Sequence, residues 1–203
     1  FIPITVIGLS YSVAALPALA EYYIKKAREH FEAHFSAAFR HILFWALPFS
    51  IILLVLRAQI VRVILGSGNF TWADTRLTAA SLMLLSFAVT FQSMMLLLVR
   101  AFYAEGEAWR PLFINIISTL FSAGAAFWFV FALRPDSAAS SFFAALLRIS
   151  DIYDIRVIAL SMGMLVGSFT NFLLLMLAFW RVFGWLPWRG AGRSIFEILA
   201  ASI

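Results

Sequence analysis

Long apolar runs alternate with short charged stretches along this chain, and the charges fall between the runs rather than within them. Residues 1–20, 77–99, 111–133 and 157–179 contain no Lys, Arg, Asp or Glu. A fifth run, 42–56, is shorter and continues past Arg57 into 60–65. A bilayer core is crossed by about 20 apolar residues of helix. In lipid every backbone N–H and C=O needs a partner within the chain, so such runs form helices. A soluble core helix of this length keeps a polar face. The pattern therefore predicts an all-α, polytopic helical membrane protein with transmembrane helices at 1–20, 41–65, 77–104, 111–133 and 157–181.

The connections carry their own signals. Phe31, Phe35 and Phe39 recur every four residues, with Lys25, Arg28, Glu29 and Glu32 on other faces. That spacing predicts an amphipathic helix over 25–40, lying in the membrane interface. Gly66 and Gly68 stop the second span; Thr71 then caps the third, and Asp74 completes a capping box. Gly106 ends the third span, and Pro111 opens the fourth where its missing N–H costs nothing. Between Arg134 and Arg156, Phe142, Phe143, Leu146 and Leu147 suggest a short interfacial helix on the opposite side. Pro17 and Pro48 predict kinks or breaks in the first two spans.

Composition narrows the function. The 203 residues have a mean hydropathy of +0.96, and 12% are charged. Five spans and their loops use nearly all of them, leaving no room for a soluble catalytic domain. Residue 1 already lies within an apolar run, and 194–203 reads like the first turns of a further helix. These ends suggest a segment of a longer, transporter-sized chain. Without Cys there is no disulfide or thiolate chemistry. The net charge of +5 reflects loop topology and anionic lipid contact rather than nucleic acid. Lys25, Lys26, Arg28, Arg40, Arg100, Arg110, Arg181, Arg189 and Arg193 share one side; Arg57, Arg62, Arg76, Arg134, Arg148 and Arg156 share the other. The positive-inside rule assigns the first side to the cytoplasm.

Small and polar residues mark packed or cavity-lining faces, because helices in lipid gain nothing by hiding apolar surface from one another. Gly163 and Gly167 form a small-residue seam for helix packing on the fifth span, and Asn171 extends it by a turn. Asn115, Ser118, Ser122 and Ala126 share a face of the fourth; Ser86, Thr90 and Ser93 share one of the third, with Gln92 close by. Each stripe reads either as helix packing or as a substrate path, and Arg100 reads either as the cation near the cytoplasmic end of such a path or as a topology anchor snorkelling to the interface. The path candidates are thus Arg100, Gln92, Ser86, Thr90, Asn115, Ser122 and Asn171. His30 and His34 have ligand spacing on one helix face, but no third ligand accompanies them, so no metal is expected. No nucleophile–base set, phosphate-cradling glycine loop or carboxylate pair emerges. The reading is a non-enzyme with no catalytic residues and no cofactor.

Three segments resemble one known family. Residues 60–75, IVRVILGSGNFTWADT, carry Gly68, Phe70, Asp74 and Thr75; residues 100–106, RAFYAEG, carry Tyr103 and are followed by Pro111; and Gly8 precedes Pro17 in the LPALA of residues 16–20. Their order and spacing resemble the MurJ (MviN) lipid II flippases of the multidrug/oligosaccharidyl-lipid/polysaccharide exporter superfamily. The resemblance covers 1–133; 134–156 departs from it. It implies part of a two-lobe transporter bundle, the C-terminal lobe from its eighth to its twelfth helix, with the N-terminal lobe of the same chain as partner. It further implies a multi-pass protein of the bacterial inner membrane. The expected function is transport of lipid II, a polyprenyl-pyrophosphate glycolipid, from inner to outer leaflet by alternating access for cell-wall synthesis. The family's pyrophosphate-binding arginines correspond to no residue here. Where many members have Asn or Asp, this chain has Ser122 and Ala126. Two other readings stand beside this one: export of another polyprenyl-linked glycan or of drugs, and a non-transporting scaffold of cell-wall synthesis.

Overall fold

The computed structural model describes residues 4–66, 71–135, 137–147, 149, 152 and 154–187. Gly68 and Phe70 lie outside the described residues, as do Arg148, Arg189 and Arg193. A π-helical stretch, Ile4–Leu9, leads into α1 (Ser10–Ile24), followed by α2 (Arg28–Val55), α3 (Arg57–Leu65), α4 (Trp72–Glu105), α5 (Trp109–Ala132), α6 (Ala138–Leu146) and α7 (Ile158–Phe183). Among the described residues there is no strand, and five helices are long and apolar enough to cross a membrane: Ile4–Ile24, α2, α4, α5 and α7. The chain is an all-α, multi-pass membrane protein.

Two differences from the sequence reading stand out. Residues 25–40 do not form a separate interfacial helix. No Gly or Pro interrupts the chain from Arg28 to Leu47, so α2 runs unbroken into the second span. Its three phenylalanines face protein rather than lipid. Phe31 stacks on Phe183 at 5.2 Å and Phe35 on Phe179 at 4.7 Å, while Trp185 stands edge-on to Phe35 at 5.7 Å. The end of α7 thus supplies the apolar surface that the amphipathic pattern required, and Phe35 and Phe39 are wholly buried. Nor do Pro17 and Pro48 break their helices. The second span breaks instead at Leu56, the single residue between α2 and α3. Even there the hydrogen bonds continue, Leu56 donating to Ile52 O and accepting from Ile60 N at 2.9 Å each.

The chain divides into two compact units, Phe1–Ser50 with Val89–Ile117 and Phe169–Ile203, and Ile51–Ala88 with Ser118–Ser168. The first centres on Leu19, Phe35, Phe39, Ile42, Leu97, Phe102, Leu175 and Phe179, contributed by α1, α2, α4 and α7. Within it the π-helical stretch brings Gly8 so near α4 that a Cβ there would lie 2.8 Å from Ser93 Cα. The second unit centres on Leu133, Leu147, Ile149, Ile155 and Ile158. Its α6 is capped by Ser137, whose Oγ accepts from Ser140 N at 3.0 Å. Phe143 and Leu147 turn inward, whereas Phe142 and Leu146 remain exposed. After α6, the Asp154 carboxylate is held down to about 2 by hydrogen bonds from Arg156. Such a shift contributes stability above the ordinary value of 3.8 and loses it as pH falls through about 2. Both partners are solvated, so the contribution is small.

The helix ends follow the local sequence. Thr71 N and Oγ1 donate to Asp74 Oδ2 at 2.9 and 2.6 Å, and Asp74 N returns a bond to Thr71 Oγ1 at 3.2 Å, a reciprocal capping box. α4 closes with Glu107 N on Phe102 O and Gly106 N on Tyr103 O, both 3.0 Å, in a Schellman turn with Gly106 at φ +87°. α1 ends in the same pattern, Ala27 N on Tyr22 O and Lys26 N on Tyr23 O, but with Lys26 in the left-handed position at φ +53°. A left-handed lysine costs roughly 1 kcal/mol more than a glycine. Gly106→Ala, with open space around its new methyl, is therefore expected to lower stability by about 1 kcal/mol. Lys26→Gly should leave it unchanged or raise it. Thermal unfolding of the purified full-length protein checks both; equal losses in the two variants would contradict this account of the turns.

Candidate functional site

The polar stripes occupy faces of α4, α5 and α7, and most are engaged with other helices or with their own backbone. In the first unit Asn171 Nδ2 donates to Asn115 Oδ1 at 2.8 Å, a side-chain bridge from α7 to α5. Asn171 Oδ1 is buried without a partner among the described residues. In the second unit Ser122 Oγ donates to Gly163 O at 2.8 Å. The backbones touch there: a Cβ on Gly163 would fall 2.5 Å from Ala126 Cβ, and one on Gly167 2.3 Å from Ser122 Cβ. Gly163 and Gly167 on α7 thus receive Ala126 and Ser122 on α5. Small residues let two helices approach this closely, and dispersion with interhelical hydrogen bonds then holds them. Ser118, on the same α5 face, is buried with its Oγ unpartnered among the described residues.

The α4 stripe divides differently. Ser86 and Ser93 are buried and donate back along their own helix, to Met83 O at 2.7 Å and Val89 O at 2.8 Å. Thr90, Gln92 and Arg100 are half-buried. The Arg100 guanidinium lies 5.7 Å from the Tyr103 ring centre, within cation–π range. Arg110, one turn of chain further, pairs with Glu107 at 2.5 Å. Ser122, Asn115 and Asn171 therefore sit in helix–helix contacts and Ser86 in a local backbone bond; of the seven path candidates, only Ser86 is buried, and Arg100, Gln92 and Thr90 are half-buried like Ser122, Asn115 and Asn171.

The remaining motif positions shape helix ends and crossings. Gly8 allows the contact with Ser93. Asp74 and Thr75 secure the start of α4, Thr75 Oγ1 donating to Thr71 O at 3.1 Å. Pro111 is buried in the first turn of α5, where no intrahelical donor is required. Pro17 lies exposed within α1. His30 and His34 flank Tyr22, at 5.6 and 5.9 Å between ring centres, so the spacing that suggested ligands serves aromatic contact. The sequence reading gave Lys26 no role beyond loop charge and singled out neither Glu105 nor Trp185, because a left-handed lysine and a carboxylate at a helix end leave no pattern along the chain.

A family model described as "Lipid II flippase MurJ" matches residues 1–148, nearly three-quarters of the chain. The chain belongs to the MurJ family. Two members named probable lipid II flippase MurJ are similar to it. The protein from Thermotoga maritima is 29% identical over 116 residues, 57% of this chain and 24% of that protein. The protein from Bdellovibrio bacteriovorus is 26% identical over 117 residues, 58% and 22% respectively. The chain thus spans about a quarter of the length of these MurJ relatives. No solved structure matches it. The MurJ match takes in all three motif segments and extends through α6, beyond the region the sequence resemblance covered.

The packing seam makes a direct prediction. Gly163→Ala places a methyl against Ala126, and overpacking of this kind costs about 1–3 kcal/mol. Adding Ala126→Gly removes the opposing methyl and is expected to restore much of that loss. The check is thermal unfolding of both variants in detergent, and a single variant as stable as the wild type would rule out the close approach.

Proposed function

We propose that this chain acts within a lipid II flippase of the bacterial inner membrane, forming part of the C-terminal lobe of a two-lobe transporter. The observation that carries the reading is the MurJ match over residues 1–148, in a chain whose described helices include five able to span a membrane. The names of the two relatives support lipid II as the cargo. A pyrophosphate cannot cross hydrocarbon unpaired, because burying its charge costs far too much. A water-filled, cationic cavity between two lobes removes that cost, and rocking of the lobes then exposes the cargo on the opposite leaflet. In this scheme the chain transports and has no reactive group to supply.

Arg100, Gln92 and Thr90 are our choice for the substrate path, since each is half-buried on α4, whereas the equally half-buried Ser122, Asn115 and Asn171 join α5 to α7. Ser86, Ser122, Asn115 and Asn171 then serve the rigidity of the lobe. The asymmetry suits alternating access, which needs stiff helix pairs that move as bodies. The charge count of the loops supports a cytoplasmic position for the Arg100 end.

Complementation tests the reading. The full-length protein is expressed in bacteria depleted of their own lipid II flippase, with growth and lipid II exposure on the outer leaflet followed together. Rescue of both is expected, and Arg100→Ala should reduce lipid II exposure at least severalfold without altering membrane expression or melting temperature. Full membrane expression with no lipid II exposure would refute the proposed cargo.

A further inference from the structure

The first unit contains a cleft of about 840 Å3 that none of the path residues lines. It lies at the C-terminal ends of α1, α4 and α7 and the N-terminal end of α2, four helices of membrane-spanning length. By length and composition all four can cross a bilayer, so their ends here lie toward one membrane surface. The wall agrees with that position: Phe31 and Phe183 form an apolar side, and Tyr23, Tyr103 and Trp185 supply rings with one polar edge. Tyr and Trp concentrate at membrane–water boundaries for this reason.

The charges around the cleft are largely matched. Arg28 donates to Glu32 Oε1 at 2.7 Å and to Phe183 O at 3.0 Å. Lys25 pairs with Glu21, and Arg110 with Glu107. Two lining groups of opposite sign are left over. The Lys26 ammonium has no hydrogen-bond or ion-pair partner among the described residues, and the residue lines the cleft with its backbone in the left-handed conformation. Glu105 feels the Arg110 charge and is reached by the Tyr23 hydroxyl, yet its Oε2 is buried with no hydrogen-bond partner among the described residues. A buried carboxylate oxygen in that state calls for a donor.

We propose that the cleft binds the head group of a zwitterionic aminophospholipid of the surrounding bilayer, with the phosphate on Lys26 and the primary ammonium on Glu105. One unpaired ammonium and one carboxylate oxygen without a donor complement a ligand that carries a charge of each sign. A pyrophosphate would find a single available cation and a repelling carboxylate. An anionic head group lacking an amine would bring no N–H donor to Glu105 Oε2. A quaternary ammonium offers no N–H to Oε2. The apolar wall beneath receives the first carbons of the acyl chains, where the adjoining hydrocarbon already holds them.

Native mass spectrometry of the detergent-purified full-length protein tests this, titrating phosphatidylethanolamine, phosphatidylglycerol and phosphatidylcholine in turn. The ethanolamine lipid is expected to bind about tenfold more tightly than the other two, the factor that one charge-assisted hydrogen bond supplies. Lys26→Gly relieves the backbone and removes the ammonium, so it should weaken ethanolamine-lipid binding about tenfold while the melting temperature holds or rises. Lys26→Gln, which keeps the side-chain stem, should lose as much. Glu105→Gln should abolish the preference over phosphatidylcholine. Equal binding of all three lipids, wild-type binding by the Lys26 and Glu105 variants, or displacement of the lipid by inorganic pyrophosphate would overturn the proposal. Because the readout is lipid retention and not transport, failure here leaves the flippase reading untouched, and failure of complementation leaves this one standing.

Discussion

Backbone amides buried in hydrocarbon have only one another for partners, and the architecture follows from that constraint. It makes every long apolar run a helix and keeps α2 intact through Pro48, where the apolar surroundings offer a broken helix no solvent to turn to. At Leu56 the hydrogen-bond ladder is handed from α2 to α3 with no unpaired step at that residue. Irregular backbone is left to the helix ends, where Thr71, Gly106 and Lys26 manage the freed groups.

With the backbone internally satisfied, the helices adhere by shape. Two devices hold them. Between α5 and α7, absent side chains at Gly163 and Gly167 allow backbone contact. Between α2 and α7, the opposite strategy applies: Phe31, Phe35, Phe179 and Phe183 interleave as stacked rings, with Phe179 and Phe183 only 4.6 Å apart. Close approach sharpens geometry through sterics, whereas ring stacking gains area and tolerates small shifts. α7 uses glycine along its first half and aromatics along its last turns, so one helix serves both.

Much of this was legible along the chain. Charge-free runs of membrane length are governed by solvent alone, and no tertiary context changes their outcome. The Thr71–Asp74 cap and the glycine seam were also visible, because each depends on residues three or four apart on one helix. What could not be read depends on partners distant in sequence. The Phe31–Phe35–Phe39 stripe announced a surface in need of cover, but nothing local shows that α7, some 140 residues on, provides it rather than lipid. Ser122 and Asn115 read as lining a path or joining helices, and the groups they bond, Gly163 O and Asn171 Nδ2, lie 41 and 56 residues away in the chain. Lys26 illustrates the converse, a local conformation hidden because lysine carries no turn signature.

The unbroken α2 has a consequence for how such a chain can vary. Its 28 residues share a single helical phase. One residue inserted or deleted between Phe39 and Ala46 would turn everything before it by about 100° relative to everything after. The aromatic ladder and the membrane-spanning stretch would then point to different neighbours. Substitution can be tolerated along this helix, but a change of length cannot. A new residue rotates nothing within α2 when it enters at the joint before it, 25–27, where the chain already leaves helical phase.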